Sequence, residues 1–503
     1  MTLPTRSIPM SDSDEPENGA AAWSADEIRR VGYRAVDLIV EHLVSMPERP
    51  VFSAFPRALA ESMAHSPLPE VGQSANDVLS DFARDVAPFP FGNGHPRFYG
   101  WVNSPPTPIG IFAEALAAAM NPSVAGGNHA AVHVERQVVS WMKELVGFPV
   151  EGMGLLVSGA SVATLTGLAV ARHVALARRG RNVREHGLQS GEGSLVVYKG
   201  AEGHGCSQKA VELLGIGSAN LRVVESDAEL RLSPAALDAA IRADIAAGFI
   251  PMAVVASAGT VNTGAIDPID AIADICREHG VWLHVDGAYG APAIITAQYR
   301  DELAPIARAD SLAVDPHKWL YVPVEAGLVL VRDAKAMRDT FSLVPPYLRI
   351  DGDEHGVLGP PWFSEFGIQQ TRGFKALKVW MALKYHGVSG YRAMIENDLA
   401  LAAHLASLLH AAPDFECLKP RGLSIVCFRY APESMRGDVQ SLDALNRNVL
   451  AEMQLGGEAF VSSTVIRGQF WLRACIVNHR ATEADIDVMI DVVRRIAERA
   501  TAA

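Results

Sequence analysis

The sequence predicts an α/β protein whose large domain contains a mostly parallel sheet flanked by helices. Between residues 154 and 331, seven short apolar runs alternate with longer segments, several with helical periodicity. Because the runs are mostly apolar, both faces of the sheet are expected to be covered. The chain has 503 residues, 49% of them hydrophobic, enough for two or three units with large cores. The predicted strands are 155–157, 195–198, 221–224, 252–255, 281–285, 312–314 and 328–331.

The N-terminal part predicts a tail and a helical arm. Residues 1–22 are rich in Ser, Pro, Asp and Glu, which predicts a disordered tail without the apolar core of a secretion signal. Residues 23–105 predict a helical arm that also serves in dimerisation. Its first helix begins at the capping-box candidate Ser24-Ala25-Asp26-Glu27 and ends before Pro47. A second helix fits residues 74–86, and the segment has no obvious core of its own.

The rest of the chain divides into a large and a small unit. Residues 106–385 predict the large domain, in which two helices precede the sheet. Residues 386–503 predict a small α+β domain, because helices there combine with a few strands. The predicted elements outside the sheet are helices 109–119, 130–146, 162–177, 233–247, 268–278, 391–409 and 483–499, with strands 424–430 and 469–477.

Charge and cysteine usage exclude several classes of function. The net charge of −13 argues against nucleic-acid and membrane partners. Five dispersed cysteines without CxxC spacing predict reduced thiols and a cytoplasmic location, with Cys427 and Cys475 buried in apolar runs. The sequence contains no run of 18 apolar residues, so no membrane helix is expected. Without HExxH or CxxC spacing, no metal site is expected.

Two strand ends carry the strongest chemical signal. Lys318 follows the run at 312–314, within Asp315-Pro316-His317-Lys318-Trp319, and Asp286 ends the run at 281–285. A lysine amine can form a Schiff base with pyridoxal phosphate, and a carboxylate can keep the pyridine nitrogen of that cofactor protonated. Alone, the lysine would be a surface residue and the aspartate a turn cap. Together they predict a pyridoxal phosphate site.

Other strand ends add candidates, because ligands of parallel sheets bind beyond the carboxyl ends of the strands. The turn Ser158-Gly159-Ala160-Ser161 can offer backbone N–H groups to a phosphate; the alternative is a plain turn with Ser161 as helix N-cap. His204, between glycines, can stack on a cofactor ring and move protons, or can be a solvated loop residue. Ser257-Ala258-Gly259-Thr260 follows a further strand.

These motifs resemble the group II pyridoxal phosphate-dependent amino-acid decarboxylases of fold type I. That family includes aromatic L-amino-acid decarboxylase and, more distantly, glutamate decarboxylase. The runs Pro316-His317-Lys318-Trp319 and His284-Val285-Asp286-Gly287-Ala288-Tyr289 look like its two signatures. The resemblance extends from His95 to Arg473 and covers most of the chain.

The resemblance implies roles at the matched positions. Lys318, His204 and Asp286 would be catalytic, with His204 on one face of the cofactor ring and Ala288 on the other. The implied cofactor-binding residues are Ala160, Ser161, His204, Thr260, Asp286, Ala288, His317 and Lys318.

The resemblance also implies a substrate and a partner. Trp101 and Ser104 match a substrate-contacting stretch, and Trp101 with Val102 favours an aromatic or apolar side chain. Arg473 matches an arginine that can pair with a carboxylate; a structural salt bridge is the alternative. A homodimer with sites at the subunit interface is implied, the N-terminal helices wrapping the partner.

The chain departs from the family pattern at two positions that bear on the chemistry. Asp315 stands where asparagine is common, and its side chain is expected to turn away from the phosphate. Our alignment places Phe363 where many members carry a tyrosine on a mobile loop. Residues 352–361, just before it, are rich in Gly and Pro, which suits such a loop. That tyrosine protonates the substrate carbon after CO2 leaves, and phenylalanine has no proton to give.

The expected function is therefore decarboxylation of an L-amino acid, aromatic or apolar, to the amine and CO2, with His204 as the proton donor. The nearest alternative is an oxygen-dependent decarboxylation and deamination to an aldehyde. Cysteine desulfuration at Cys206 and a binding protein without activity are further alternatives. The intact set of Lys318, Asp286 and His204 argues against the last.

Overall fold

The structure, a computed structural model, describes residues 23–189, 193–343, 359, 362–418 and 422–502. The predicted disordered tail, 1–22, lies outside the described residues. So does the predicted mobile loop, 352–361, apart from Gly359.

Twelve strands are found in the described residues, and they form two sheets. They are β1 (Phe98–Tyr99), β2 (Met153–Val157), β3 (Leu195–Gly200), β4 (Leu221–Val224), β5 (Ile250–Ser257), β6 (Trp282–Asp286), β7 (Ser311–Val314), β8 (Gly327–Val331), β9 (Phe415–Cys417), β10 (Ile425–Tyr430), β11 (Phe460–Ile466) and β12 (Gln469–Cys475).

The larger sheet confirms the predicted fold class. Its order is β2-β8-β7-β6-β5-β3-β4, and its seven strands are the seven predicted from the apolar runs. The pairs β3–β4, β3–β5, β5–β6 and β6–β7 are parallel, whereas β8 runs antiparallel to both of its neighbours. β6, β7 and β8 are buried along their whole length, as strands covered on both faces must be.

Helices cover both sheets and form the arm. They are α1 (Ala25–Ser45), α2 (Arg57–His65), α3 (Ala75–Asp81), α4 (Pro108–Met120), α5 (Ala130–Leu145), α6 (Ala160–Ala177), α7 (Val183–His186), α8 (Cys206–Leu213), α9 (Pro234–Ala246), α10 (Ile269–His279), α11 (Arg300–Leu303), α12 (Ala334–Phe341), α13 (Ala376–Ala411), α14 (Val439–Gly456) and α15 (Glu483–Ala502).

Helix α6 is central to the large unit. It packs on β5, β6, β7 and β8, and it is the one described helix that is long and apolar enough to cross a membrane by length and composition. The sequence had been expected to contain no such stretch. Because 61% of α6 is buried inside the protein, the stretch has the packing of a core helix.

The smaller sheet has the order β1-β11-β12-β10-β9 and packs with α13, α14 and α15. Its edge strand β1 comes from the N-terminal segment and pairs in parallel with β11, Phe98 opposite Phe460. Helix α13 contains a break at Gly387, whose φ of 62° is left-handed and favours glycine. All five cysteines are free, and Cys427 and Cys475 are buried as predicted.

The N-terminal arm begins as predicted. Ser24 caps α1, and Glu27 completes the capping box by accepting from the Ser24 amide. α1 has no buried residue, although its sequence is amphipathic. Tyr33 is 65% exposed and Val44 is 72% exposed, so the apolar face of the helix is largely uncovered in a single subunit.

Candidate active site

The carboxyl ends of β5, β6 and β7 meet at one edge of the large sheet. Ser257 pairs with Asp286, and Asp286 pairs with Ala313. A tight turn follows β7, in which the Lys318 amide donates to the Asp315 carbonyl at 2.9 Å. The sheet therefore brings Asp286 and Lys318 to the same edge, where parallel sheets bind ligands.

Lys318 lies in an ionic environment. Its Nζ is 3.0 Å from Asp315 Oδ2, and its side chain is 23% exposed. Burial alone would lower the pKa of Lys318, but the carboxylates of Asp315 and Asp286 outweigh that effect and raise it. The lysine is therefore an ammonium ion near neutral pH in the protein alone.

Asp315 does not turn away, so that expectation was wrong. Its Oδ1 accepts from the Ala160 amide at 2.7 Å, and its side chain is 4% exposed. His317 Nε2 lies 3.7 Å from Oδ2. The partial positive charge at the start of α6 and the Lys318 ammonium together stabilise the buried anion. The expectation had considered the phosphate alone and had left out the lysine.

The turn that begins α6 is built for close approach. Its N-cap is Gly159, without a side-chain hydrogen bond, so the alternative in which Ser161 caps the helix was wrong. A Cβ at Gly327, on β8, would lie 2.4 Å from the Cα of Gly159. Ser161 is exposed, and its amide lies in the first helical turn, where N–H groups have no intrahelical acceptor. An anion can bind there.

His204 and Asp286 lie close together. The ligand atoms of His204, Cys206 and Asp286 all fall within 4.8 Å of one another. The Cys206 amide donates to His204 Nδ1 at 3.1 Å, which assigns the proton of the neutral ring to Nε2. Desolvation lowers the pKa of His204 although Asp286 opposes it. The imidazole is thus neutral near pH 7.

Cys206 suits neither a nucleophile nor a metal ligand. It is 4% exposed, and burial raises its pKa to about 12. The thiolate is the nucleophilic and metal-binding form, and this thiol stays protonated. The desulfurase alternative therefore has no support from this residue.

Behind Asp286 lies a polar layer that the sequence analysis missed. Thr164 Oγ1 is 3.2 Å from His284 Nε2, and Ser311 Oγ is 2.8 Å from His284 Nδ1. Burial lowers the pKa of His284 to about 4, so its ring is neutral. A neutral histidine leaves the negative charge of Asp286 uncompensated on this side. The sequence did contain a signal for this layer, because the polar residue His284 stands two residues before Asp286 on β6.

The remaining predicted cofactor residues line the same edge. Ala288 is 6% exposed, and its amide donates to Asp286 Oδ1 at 3.2 Å. Thr260 is buried, with its hydroxyl 2.9 Å from that of Thr263. His317 Nδ1 lies 2.8 Å from the Ala326 carbonyl oxygen and 3.1 Å from the Ala326 amide nitrogen. Ala288 and Thr260 follow the carboxyl ends of β6 and β5, and His317 precedes Lys318 in its turn.

Arg473 and Trp101, both predicted to contact substrate, touch each other. Arg473 is 3% exposed and donates from Nη1 to the Trp101 carbonyl at 3.1 Å and from Nε to the Asn262 carbonyl at 3.1 Å. Its Nη2 is buried without a partner, and among the described residues it forms no ion pair. The alternative in which Arg473 forms a structural salt bridge therefore has no support among the described residues. Ser104 donates to the His317 carbonyl at 3.0 Å, which ties this stretch to the Lys318 turn.

Phe363 is buried in the single subunit, although the sequence analysis placed it on a mobile loop. It is 1% exposed, begins a short 3-10 helix ending at Phe366, and packs under the Arg372 guanidinium, 5.4 Å from its ring centre. Arg372 in turn pairs with the fully buried Glu135. The role of Phe363 toward the substrate stays a prediction, and so does the aldehyde alternative. The sequence has a tyrosine, Tyr347, within 344–358, which lies outside the described residues.

The donors and charges of this edge fit pyridoxal phosphate. Lys318 offers an amine, Asp286 a carboxylate for a ring nitrogen, and the start of α6 offers N–H groups for a phosphate. The unpaired Nη2 of Arg473 can receive a carboxylate. None of these groups requires a metal ion.

Comparison with known proteins leads to the same chemistry. The model of the pyridoxal-dependent decarboxylase conserved domain matches residues 56–431. Aromatic-L-amino-acid decarboxylase of Bacillus atrophaeus is 34% identical over 477 residues, 94% of this chain and 96% of that protein. Phenylacetaldehyde synthase of Arabidopsis thaliana is 28% identical, covering 92% of this chain and 94% of that protein.

A solved structure agrees with the fold. Oryza sativa TDC with PLP and tryptamine superimposes with a TM-score of 0.87 at 27% identity, covering 97% of this chain and 99% of that one. The fold is thus that of fold type I, and the cofactor is pyridoxal 5'-phosphate. The chain belongs to the pyridoxal-dependent decarboxylase family and is a pyridoxal phosphate-dependent amino-acid decarboxylase.

Proposed function

We propose that the substrate is an aromatic L-amino acid, which the enzyme converts to the corresponding amine and CO2. The observation that carries the proposal is an aromatic cluster beside Arg473. Trp101, whose carbonyl binds Arg473, stacks on Phe91 with ring centres 5.4 Å apart and lies 5.6 Å from Phe460. Trp101 is 45% exposed, so an aromatic side chain can stack on it. The names of the relatives, aromatic amino-acid and tryptophan decarboxylases, agree.

Each proposed role follows from the position of the residue. Bound pyridoxal phosphate supplies an electron-withdrawing ring that stabilises the charge left on carbon when CO2 departs. When the cofactor is bound, Lys318 would hold it through Nζ until the substrate amine takes its place. Asp286 would keep a proton on the ring nitrogen. Ala288 and His204 would lie against the ring, Thr260 and His317 would help to hold it, and Ala160 and Ser161 would bind its phosphate.

Arg473 and His204 handle the two reacting ends of the substrate. The Nη2 of Arg473, buried and unpaired, binds the carboxylate or orients the group that does so. His204 carries its proton on Nε2 when neutral, because Nδ1 accepts from the Cys206 amide. We assign that proton to delivery at the substrate carbon, which gives the amine.

A substrate screen tests the proposal. Steady-state rates of CO2 release should give kcat/KM values for L-tryptophan, L-tyrosine or L-phenylalanine at least about tenfold above those for L-leucine and L-glutamate. Trp101→Leu should raise KM for the aromatic substrate, whereas the control Trp380→Leu, under Lys384 on α13, should not. A preference for L-glutamate, or equal effects of the two variants, would overturn the assignment.

We further propose a homodimer in which the arms wrap the partner subunit. The apolar face of α1 supports this, because Tyr33, Val40 and Val44 are exposed at 65%, 48% and 72% and a single subunit offers them no core. Light scattering after size-exclusion chromatography should give twice the chain mass of 53.9 kDa. A monomer that decarboxylates at full rate would refute the dimer.

The domain division and location complete the proposal. We place an arm at 23–105, the large domain at 106–385 and the small domain at 386–503, because the break at Gly387 falls beside the last boundary. Five free cysteines support a cytoplasmic location. Limited proteolysis that cuts first within the core of one assigned domain would contradict these boundaries.

A further inference from the structure

Asp315 combines two contacts that bear on cofactor binding. One carboxylate oxygen accepts from the Ala160 amide at 2.7 Å, and the other lies 3.0 Å from Lys318 Nζ. The first contact occupies an N–H group at the start of α6, where the cofactor phosphate is expected. The second involves the amine to which the cofactor aldehyde binds.

We propose that Asp315 is an internal anion that competes with the cofactor phosphate for the start of α6 and thereby limits how tightly this chain holds pyridoxal phosphate. The inference concerns cofactor retention and does not depend on which amino acid is the substrate. It rests on the geometry of the carboxylate, which is buried and contacts both the Ala160 amide and the Lys318 amine.

The physical argument concerns repulsion between two anions. A phosphate oxygen bound near Ala160 or Ser161 comes close to the carboxylate, and charges of like sign repel strongly in a site that excludes water. The Lys318 ammonium offsets the charge of Asp315 in the protein alone. His317, 3.7 Å away, is neutral near pH 7 because burial lowers its pKa, so it offsets none of it.

Asparagine is the informative replacement. Its side-chain oxygen can still accept from the Ala160 amide, while the negative charge is lost. Asp315→Asn should therefore keep the turn and remove the repulsion. Any change in affinity then reports on charge at this position.

Three probes separate the phosphate effect from an effect on the lysine. Pyridoxal 5'-phosphate has an aldehyde and a phosphate, pyridoxamine 5'-phosphate has only the phosphate, and pyridoxal has only the aldehyde. Full-length protein freed of cofactor is titrated with each compound, and tryptophan fluorescence gives the dissociation constant. Asp310→Asn is the matched control, because Asp310 precedes the other end of β7 and accepts from the Leu283 amide at 2.8 Å.

The expected result is that Asp315→Asn binds pyridoxamine 5'-phosphate at least about tenfold more tightly than wild type. Its gain for pyridoxal 5'-phosphate should exceed its gain for pyridoxal, and the affinities of Asp310→Asn should stay unchanged. Unchanged or weaker binding of pyridoxamine 5'-phosphate would overturn the proposal. So would an equal gain for pyridoxal, since the effect would then act through Lys318. If Asp315→Asn fails to fold, Asp315→Ser is titrated in the same way, because its hydroxyl also accepts a hydrogen bond, and the same outcomes decide.

Discussion

Asp398 offers the sharpest test of how the Lys318 turn is held. It lies on α13, is fully buried, and its Oδ2 accepts from Trp319 Nε1 at 2.7 Å and from the Tyr321 hydroxyl. Its Oδ1 is 3.3 Å from the Asn478 amide. One carboxylate therefore ties two residues that follow Lys318 to the C-terminal part of the chain.

Replacing Asp398 by alanine leaves these three donors buried without an acceptor. Each such donor costs about 1–3 kcal/mol, so for three donors we expect a loss of roughly 3–9 kcal/mol in the free energy of unfolding. Asp398→Asn keeps one oxygen acceptor and should lose roughly 1–2 kcal/mol. Because the turn carries Lys318, both variants should also bind pyridoxal phosphate more weakly.

The pH dependence of stability provides an independent readout. Burial raises the pKa of Asp398 to about 7, above its ordinary value of 3.8. The folded protein thus holds this proton more tightly than the unfolded chain. The stability from this group is present below pH about 4 and falls as pH rises toward 7, by roughly 1 kcal/mol per pH unit. In Asp398→Asn this part of the slope should vanish.

Unfolding in urea at pH 5.5, 6.5 and 7.5, followed by tryptophan fluorescence, measures both effects as apparent midpoints. Differences between variant and wild type are compared at each pH, because other buried groups also titrate there. An Asp398→Ala midpoint equal to that of wild type would refute the reasoning. So would a wild-type minus Asp398→Asn difference that does not change with pH.

Three further predictions test the core and the site. Arg372→Met should lower the free energy of unfolding by about 3–5 kcal/mol, because it leaves Glu135 as an unpaired buried carboxylate. Adding Glu135→Gln to that variant should recover part of the loss, as measured by urea unfolding. Gly327→Ala should weaken cofactor binding in absorbance titrations, because a Cβ there meets the backbone of Gly159 at 2.4 Å, and unchanged affinity would contradict the close packing. Phe363→Tyr should leave the ratio of amine to aldehyde unchanged, because its ring is buried under Arg372, although a buried hydroxyl should cost about 1–3 kcal/mol in unfolding. A rise in the amine fraction would favour the aldehyde alternative, and Tyr347→Phe is the comparison variant for that assay.

The large sheet could be predicted because its signal is local. Each strand is a mostly apolar run of four to eight residues, and the capping box of α1 lies within four consecutive residues. The set Lys318, Asp286 and His204 could be predicted for the same reason, since strand order places strand ends together.

The features that were missed depend on contacts distant in sequence. Strand β1 has only two residues and exists because Phe98 pairs with Phe460. No local sequence pattern predicts such a strand. Strand β11, Phe460–Ile466, did carry a signal in its β-branched residues, and helix α14 carried one in the cap Asp438, but neither was used.

The orientation of Asp315 and the burial of Phe363 were not foreseen, for different physical reasons. In the protein alone, Asp315 is held by the Ala160 amide and by a lysine three residues later, neither of which the expectation took into account. Phe363 was aligned across a segment rich in glycine and proline, where register is weakly determined by sequence. Its burial under Arg372 could be seen only in three dimensions.

The central claim is that Lys318 holds pyridoxal phosphate for decarboxylation of an amino acid. The most direct measurement incubates purified protein with L-tryptophan and quantifies CO2, tryptamine, aldehyde and peroxide, alongside the visible absorbance of the cofactor. We expect CO2 and tryptamine in equal amounts, no peroxide, and loss of both products and of the lysine-bound cofactor absorbance in Lys318→Ala. Cofactor absorbance without CO2 release from any L-amino acid, or undiminished turnover by Lys318→Ala, would contradict the account.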